Sequence, residues 1–215
     1  MPDVYSPPAE AGVVRLGFDE RPCQLLDHAL TPIPPKPGAT QKEHREYVRN
    51  GGCNVLLAYN LGTGQRHLRG TTTKNKGDYA RFMDWLVQTH YPDAQKIKLV
   101  QANYSTHRYG ASYENLPVET ARHLRHTLEF HDTPKHGSWL NMAEIEFPAL
   151  SRQCLDQRIG TQERLEQEAV AWEAKRNAAA VKVSWSFTTE KARDKLKNSY
   201  AEVTKVTDEI KLADH

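Results

Sequence analysis

Three positions far apart in the sequence have the setting of a metal-binding carboxylate site. Asp19 ends the strand-like stretch VVRLGFDE, Ala102 follows the strand-like stretch KIKLVQ, and Glu144 lies in a helix-like stretch further on. Enzymes that hydrolyse or transfer phosphodiesters commonly hold two divalent ions, and Mg²⁺ favours a few carboxylate ligands because it keeps several of its waters. Asp19 and Glu144 could supply two ligands, whereas Ala102 stands where a third carboxylate is expected.

Both carboxylates also have ordinary structural explanations. Asp19 could be a turn residue at the end of a strand, and most helical glutamates, Glu144 included, are solvated. Glu146 lies about 200° away from Glu144 around a helix, so the two cannot bind the same ion. Residue types and spacing alone leave the metal site a hypothesis.

The hydrophobic pattern predicts the elements that would position these residues. Alternating apolar residues predict strands at 13–20, 96–101 and 128–132 and a hairpin at 53–70, and helical spacing predicts helices at 75–91, from 117, from 138, at 161–178 and at 188–200. This order predicts a mixed α/β sheet, and it is the element order of a ribonuclease H-like fold with extra C-terminal helices. We expect one domain over residues 1–200, a loop-rich insertion at about 27–50 and a polar tail at 201–215.

Composition narrows the class of protein but not its chemistry. The chain has 215 residues, a formal net charge of +2 and three cysteines outside any CxxC pair. Its mean hydropathy is −0.73, and its apolar runs are shorter than the roughly 20 residues of a membrane span. We therefore expect no membrane partner, a cytoplasmic location and reduced thiols, while the mild positive charge permits a nucleic-acid partner without requiring one.

Several segments resemble a known family. GFDE, VQANYSTH, HDTPKHG and SWLNMAEIE together look like the catalytic domain of DDE transposases of bacterial insertion sequences related to the mariner superfamily. The resemblance runs in order from about residue 13 to residue 200 and includes YVRNGGCNVLLAYN and LSRQCLDQRI. Chance would not produce similarity over so much of the chain.

The resemblance implies a set of catalytic residues and a reaction. Asp19 matches the first catalytic aspartate and Glu144 the final glutamate, while family members have Asp-Asn where this chain has Ala102-Asn103. An intact relative is expected to bind two Mg²⁺ or Mn²⁺ ions, cut a phosphodiester at each element end and use the freed 3′-hydroxyl to attack target DNA. The implied partners are double-stranded DNA of transposon ends and target, and further copies of the full protein in a homo-oligomer on the bacterial nucleoid.

Ala102 implies that this chain has lost activity. Removing one carboxylate from a shared two-ion site lowers its negative charge and deletes ligands, so we predict weakened metal binding and a catalytically inactive domain. One substitution in an otherwise intact set of motifs favours a deliberate inactivating change over gradual decay, although a natural origin stays open. Family members also carry helix-turn-helix modules before the catalytic domain, and we expect these to be truncated or separately encoded here.

Other residues near these motifs are candidates for DNA contacts. The predicted DNA-binding residues are Asn103, His107, Lys135, His136 and Trp139. Basic residues near the end of the hairpin, among them Arg66 and Lys74, could follow a phosphate backbone or form a solvated face. Two alternatives to a transposase remain: a non-catalytic DNA-binding or assembly subunit derived from one, and a structure-selective nuclease with the same fold.

Overall fold

The computed structural model describes residues 4–5, 10–38, 40, 44–134, 137–183, 191 and 194. The helix predicted at 188–200 lies outside these residues except for Lys191 and Asp194, and the predicted tail at 201–215 lies outside them entirely. In the described part of the chain, no helix has the length and apolar character that crossing a bilayer requires.

The described residues form a mixed five-stranded sheet of order β3-β2-β1-β4-β5. β1 pairs antiparallel with β2 and β2 with β3, whereas β1 pairs parallel with β4 and β4 with β5. The mixed α/β sheet predicted from the sequence is therefore present. The strands are β1 (Val13–His28), β2 (Tyr47–Asn60), β3 (Arg66–Thr71), β4 (Lys96–Gln101) and β5 (Leu128–Asp132).

Helices cover both faces of this sheet. In α1 the Asn75 side chain caps the first turn by accepting a hydrogen bond from the Asp78 backbone N–H. In α5 the Thr161 side chain accepts one from the Arg164 backbone N–H. Both caps satisfy backbone donors that would otherwise lack partners. The helices are α1 (Lys76–His90), α2 (Tyr109–Asn115), α3 (Val118–Thr127), α4 (Ala143–Gln153) and α5 (Gln162–Ala178), with a 3₁₀ turn at Ser138–Leu140.

Two apolar cores lie on opposite faces of the sheet. Along β2, Leu56 and Ala58 pack with α1, whereas Val55 and Leu57 pack with α4 and α5. This alternation follows from the two-residue period of a strand. Because each fully buried leucine contributes roughly 1.5–3 kcal/mol relative to an exposed one, the two cores hold the helices firmly against the strands between them.

The structure changes three predicted boundaries. β1 continues to His28 and β2 begins at Tyr47, because the two strands remain paired beyond the first core with an irregularity between Gln24 and Leu26. The predicted insertion at 27–50 is thus shortened to the connection at 29–46. α2 was not predicted, and α4 begins at Ala143 rather than at Ser138.

A buried ion cluster joins β3, α4 and α5. The Glu146 carboxylate accepts hydrogen bonds from Arg66 Nε at 2.7 Å and from Arg176 Nε at 2.8 Å, and the side chains of Glu146 and Arg66 are fully buried. Burial alone would raise the pKa of Glu146, but the two arginines outweigh it and hold the pKa below its usual range. The suggestion that Arg66 contacts DNA or solvent is therefore wrong.

Candidate active site

A cleft of about 350 Å³ opens beside the middle of β1, just beyond the last residue of β4. The structure brings all three predicted catalytic positions, Asp19, Ala102 and Glu144, into its lining. Ala102 follows Asp19 by 83 residues and Glu144 follows Ala102 by another 42, so only the fold makes them neighbours. The remaining lining residues are Glu20, Arg21, Pro22, Lys74, Tyr104 and Phe147.

Strand register places Ala102 beside Asp19. β1 and β4 run parallel with Gly17 opposite Val100. Asp19 lies two residues further along β1, Ala102 lies just past the end of β4, and both line the same cleft. An aspartate at position 102 would therefore direct its carboxyl group toward the same space as Asp19.

Close packing of α4 on β1 brings Glu144 to this cleft. The Asn141 side-chain amide donates to the Phe18 carbonyl at 2.7 Å, and its oxygen accepts from the Ala143 backbone N–H at 3.2 Å. Gly17 allows this approach, because a Cβ there would lie 3.3 Å from the Ala143 nitrogen. Glu144 follows in the first turn of α4.

Burial dominates the electrostatics of Asp19. The residue is only 8% exposed, and burial raises the pKa of its carboxyl to about 6, opposed by a hydrogen bond from the Glu20 backbone N–H and reinforced by the nearby Glu144 charge. A buried carboxylate that is repelled by a neighbouring, half-buried one is stabilised when a cation lies between them. The geometry and charge of this pair thus suit a divalent ion.

We predict that Asp19→Asn stabilises the metal-free protein. With a folded pKa of about 6 above the usual value of an unfolded aspartate, ionisation of Asp19 opposes folding more strongly as pH rises, so the substitution should add roughly 1–3 kcal/mol at pH 8 and less at pH 5. Urea unfolding in EDTA at both pH values measures this. Asp93→Asn, at an exposed position, is the matched control. A loss of stability at pH 8 would contradict the prediction.

A second charged cluster lies directly beside the carboxylate pair. The Glu20 carboxylate lies 2.8 Å from Lys74 Nζ and 3.4 Å from His107 Nε2. His107 Nδ1 lies 3.0 Å from the Ala102 carbonyl oxygen, and its ring stacks on Tyr79. Burial raises the pKa of Glu20, but His107 and Lys74 outweigh burial and lower the pKa below its usual value. Glu20 is therefore already paired with Lys74 and lies against His107, so it is not a free substitute for the missing ligand.

The predicted DNA-binding residues have different environments. His107 is fully buried, so the prediction that it contacts DNA is wrong, and the ring instead supports the backbone that carries Ala102. Asn103 is exposed and accepts a hydrogen bond from Arg108. Trp139 is partly buried in the 3₁₀ turn before α4. Lys135 and His136 lie outside the described residues.

The donor set fits a divalent ion in kind but lacks one ligand. Asp19 and Glu144 supply hard oxygen atoms, which Mg²⁺ and Mn²⁺ favour. Within the described residues no group of three or more His, Cys, Asp or Glu side chains could hold a metal. Ala102 contributes no donor atom to the cleft that it lines.

Sequence reasoning missed several residues that shape the site. Asn141 fixes α4 to β1, Gly17 permits the contact, and Lys74 and Tyr104 border the cleft. Asn141 belongs to the SWLN stretch on which the family resemblance rests, so this stretch could have indicated that Asn141 helps to form the site. Lys74 was predicted only as one of several basic residues that could follow a phosphate backbone, and Tyr104 carried no signal, because the approach of both to Asp19 depends on the tertiary fold.

Comparison with known proteins identifies both a family and a fold. A family model described as "DDE superfamily endonuclease" matches residues 15–166. No curated protein matches the chain.

Among solved structures, the chain is similar to the Mos1 transposase paired-end complex with left transposon end, with 14% identity, a TM-score of 0.50 and coverage of 79% of this chain and 51% of that chain. A crystal structure of the Mos1 mariner paired-end complex with Mn also matches at 14% identity, with a TM-score of 0.47 and coverage of 78% and 51%. The chain thus spans about half the length of these structures. The first likeness confirms the predicted ribonuclease H-like fold.

Proposed function

We propose that this chain is the catalytic domain of a cut-and-paste DNA transposase inactivated at Ala102. The chain belongs to the DDE superfamily endonucleases, whose family model covers residues 15–166. The endonucleases of this superfamily use divalent metal ions. The observation that carries the proposal is the shared cleft of Asp19, Ala102 and Glu144, in which two carboxylates and one alanine occupy the three positions that the family pattern assigns to ligands.

The residues of the cleft have distinct roles in this proposal. Asp19 and Glu144 would hold the divalent ion, which when bound polarises a DNA phosphate and activates the attacking oxygen. Asn141 and Gly17 set the distance between the two carboxylates by fixing α4 against β1. Lys74 adds a positive charge at the cleft, where an incoming phosphate needs one.

Ala102 is the reason why we propose an inactive domain. An aspartate at this position would complete three carboxylates around one space, and alanine leaves both the charge and the ligand count lower. The same observation favours the second candidate function, a non-catalytic DNA-binding or assembly subunit that keeps the fold. The codon at position 102 in the native element separates an engineered change from a natural one, because an Asp codon there would mean laboratory mutation.

Several properties of the whole protein remain part of the proposal. We propose that the complete enzyme acts on transposon ends and target DNA as a homo-oligomer in the cytoplasm of a bacterium. Support comes from the family membership and the motifs of the catalytic domain. The domain boundaries that we propose are residues 1–200, with the tail at 201–215.

The choice of DNA substrate tests this proposal. The complete protein carrying Ala102→Asp is incubated with Mg²⁺ or Mn²⁺, labelled element ends and a target plasmid. We expect cleavage that leaves a 3′-hydroxyl at the element end, followed by joined products. Cleavage of branched DNA regardless of end sequence would instead establish a structure-selective nuclease, and DNA binding without cleavage would establish the non-catalytic subunit.

A further inference from the structure

An exposed aromatic ring stands at the mouth of the candidate active site. Tyr104 is 50% exposed although it lines the same cleft as Asp19 and Glu144. Large rings that remain exposed beside a reaction centre are candidates for ligand contact, because burial would have been the favourable alternative for the ring. Tyr104 supplies no ligand to the metal site formed by Asp19 and Glu144.

The backbone around Tyr104 is fixed by local hydrogen bonds. Its N–H donates to the Ala102 carbonyl at 2.8 Å, and its own carbonyl accepts from the His107 N–H at 3.1 Å. The ring also makes an edge contact with the buried His107 ring, with centroids 5.5 Å apart. Tyr104 is thus a preorganised platform, which loses little conformational entropy when a flat ligand stacks on it.

A cation accompanies the ring. Lys74 Nζ lies 4.5 Å from the centroid of Tyr104 and 2.8 Å from the Glu20 carboxylate, and the lysine side chain is 39% exposed. The ammonium covers one face of the ring and leaves the other for a base. The ring and the ammonium thus match the two parts of a nucleotide, because bases stack on aromatic rings and phosphates bind cations.

We propose that Tyr104 and Lys74 form a nucleotide grip at the cleft, in which Tyr104 stacks on an unpaired base and Lys74 binds the adjacent phosphate. This inference rests on the proposed function, since it assumes that a DNA strand enters the cleft. The base must be unpaired or terminal, because bases inside a duplex already have both faces covered by their neighbours. The grip would therefore favour frayed or single-stranded ends over continuous duplex.

DNA binding by the unsubstituted chain tests the grip without any need for catalysis. Anisotropy of a fluorescein-labelled duplex with a three-nucleotide overhang is compared with that of its blunt counterpart, in EDTA so that no metal-dependent cleavage occurs. Tyr104→Ala should weaken overhang binding by about 5- to 150-fold, the range expected for one base stacked on an aromatic side chain, with little effect on blunt duplex. Tyr104→Trp should retain the preference, and Lys74→Gln should reduce the salt dependence of binding by about one phosphate contact.

Matched controls separate stacking from a structural role. Tyr113, which is 48% exposed on α2, should tolerate Tyr113→Ala without loss of overhang preference. A 2-aminopurine at the first overhang position should be quenched by the unsubstituted chain and not by Tyr104→Ala. Equal overhang binding by Tyr104→Ala and the unsubstituted chain would overturn the grip and leave the proposed function intact. Absence of binding to either DNA would also overturn the grip, and cleavage by the Ala102→Asp chain would still decide the proposed function separately.

Discussion

Replacing Ala102 with aspartate is expected to raise metal-dependent nicking of supercoiled plasmid by at least about a hundredfold. Loss of a residue that only supports a metal ligand already costs about 10- to 100-fold in metal affinity or activity, so the return of a ligand should exceed that range. Position 102 already lines the cleft that Asp19 lines, so we expect the new carboxylate to need no rearrangement of the backbone. Nicking is measured in Mg²⁺ and Mn²⁺, with ion affinity followed by calorimetry.

Two control variants identify the cause of such a gain. Ala102→Asn has nearly the same size as Ala102→Asp without its charge, and it should stay close to the unsubstituted chain. Asp19→Asn combined with Ala102→Asp removes a different carboxylate and should lose the gain. Nicking by the unsubstituted chain at the rate of Ala102→Asp in the same ion would refute both the prediction and the proposed inactivation.

Replacing Glu146 with alanine is expected to destabilise the fold by about 3–5 kcal/mol, the usual cost of removing one partner from a buried ion pair. The Arg66 side chain is fully buried and that of Arg176 is 16% exposed, so both guanidinium groups would lose their carboxylate where water cannot replace it. The cluster ties β3 to α4 and α5, so the loss should affect the whole domain. Urea unfolding followed by tryptophan fluorescence measures the change.

An exposed ion pair provides the matched control for Glu146. Glu119 pairs with Arg122 on α3 with side chains 80% and 56% exposed, and Glu119→Ala should change stability by less than about 0.5 kcal/mol. Combining Arg66→Met with Glu146→Leu should cost less than Glu146→Ala alone, because one buried cation is removed together with the anion. A similar small cost for Glu146→Ala and Glu119→Ala would show that the buried cluster does not stabilise the domain.

Local sequence patterns were sufficient to predict most elements of the sheet. The hairpin of β2 and β3, the strand before Ala102 and the helix α1 each carry a periodicity that depends only on neighbouring residues. The extension of β1 to His28 was missed because those residues lack clear alternation and are held by pairing with β2. α4 begins at Ala143, later than predicted, because the Asn141 side chain donates a hydrogen bond to the Phe18 carbonyl in β1. A pattern of neighbouring residues does not contain this contact.

The amino-acid pattern was enough to predict the order of the strands, the family resemblance and the three positions where a metal site is to be sought. Only the tertiary structure distinguished residues of the same type: Glu144 lines the cleft, whereas Glu146, two residues later, is buried against Arg66 and Arg176. It likewise buried His107 and left Tyr104 exposed. The physical reason is that periodicity and turn chemistry act between neighbouring residues, whereas burial, pKa and pairing depend on side chains that are distant along the chain, such as Arg66 and Glu146, which are 80 residues apart.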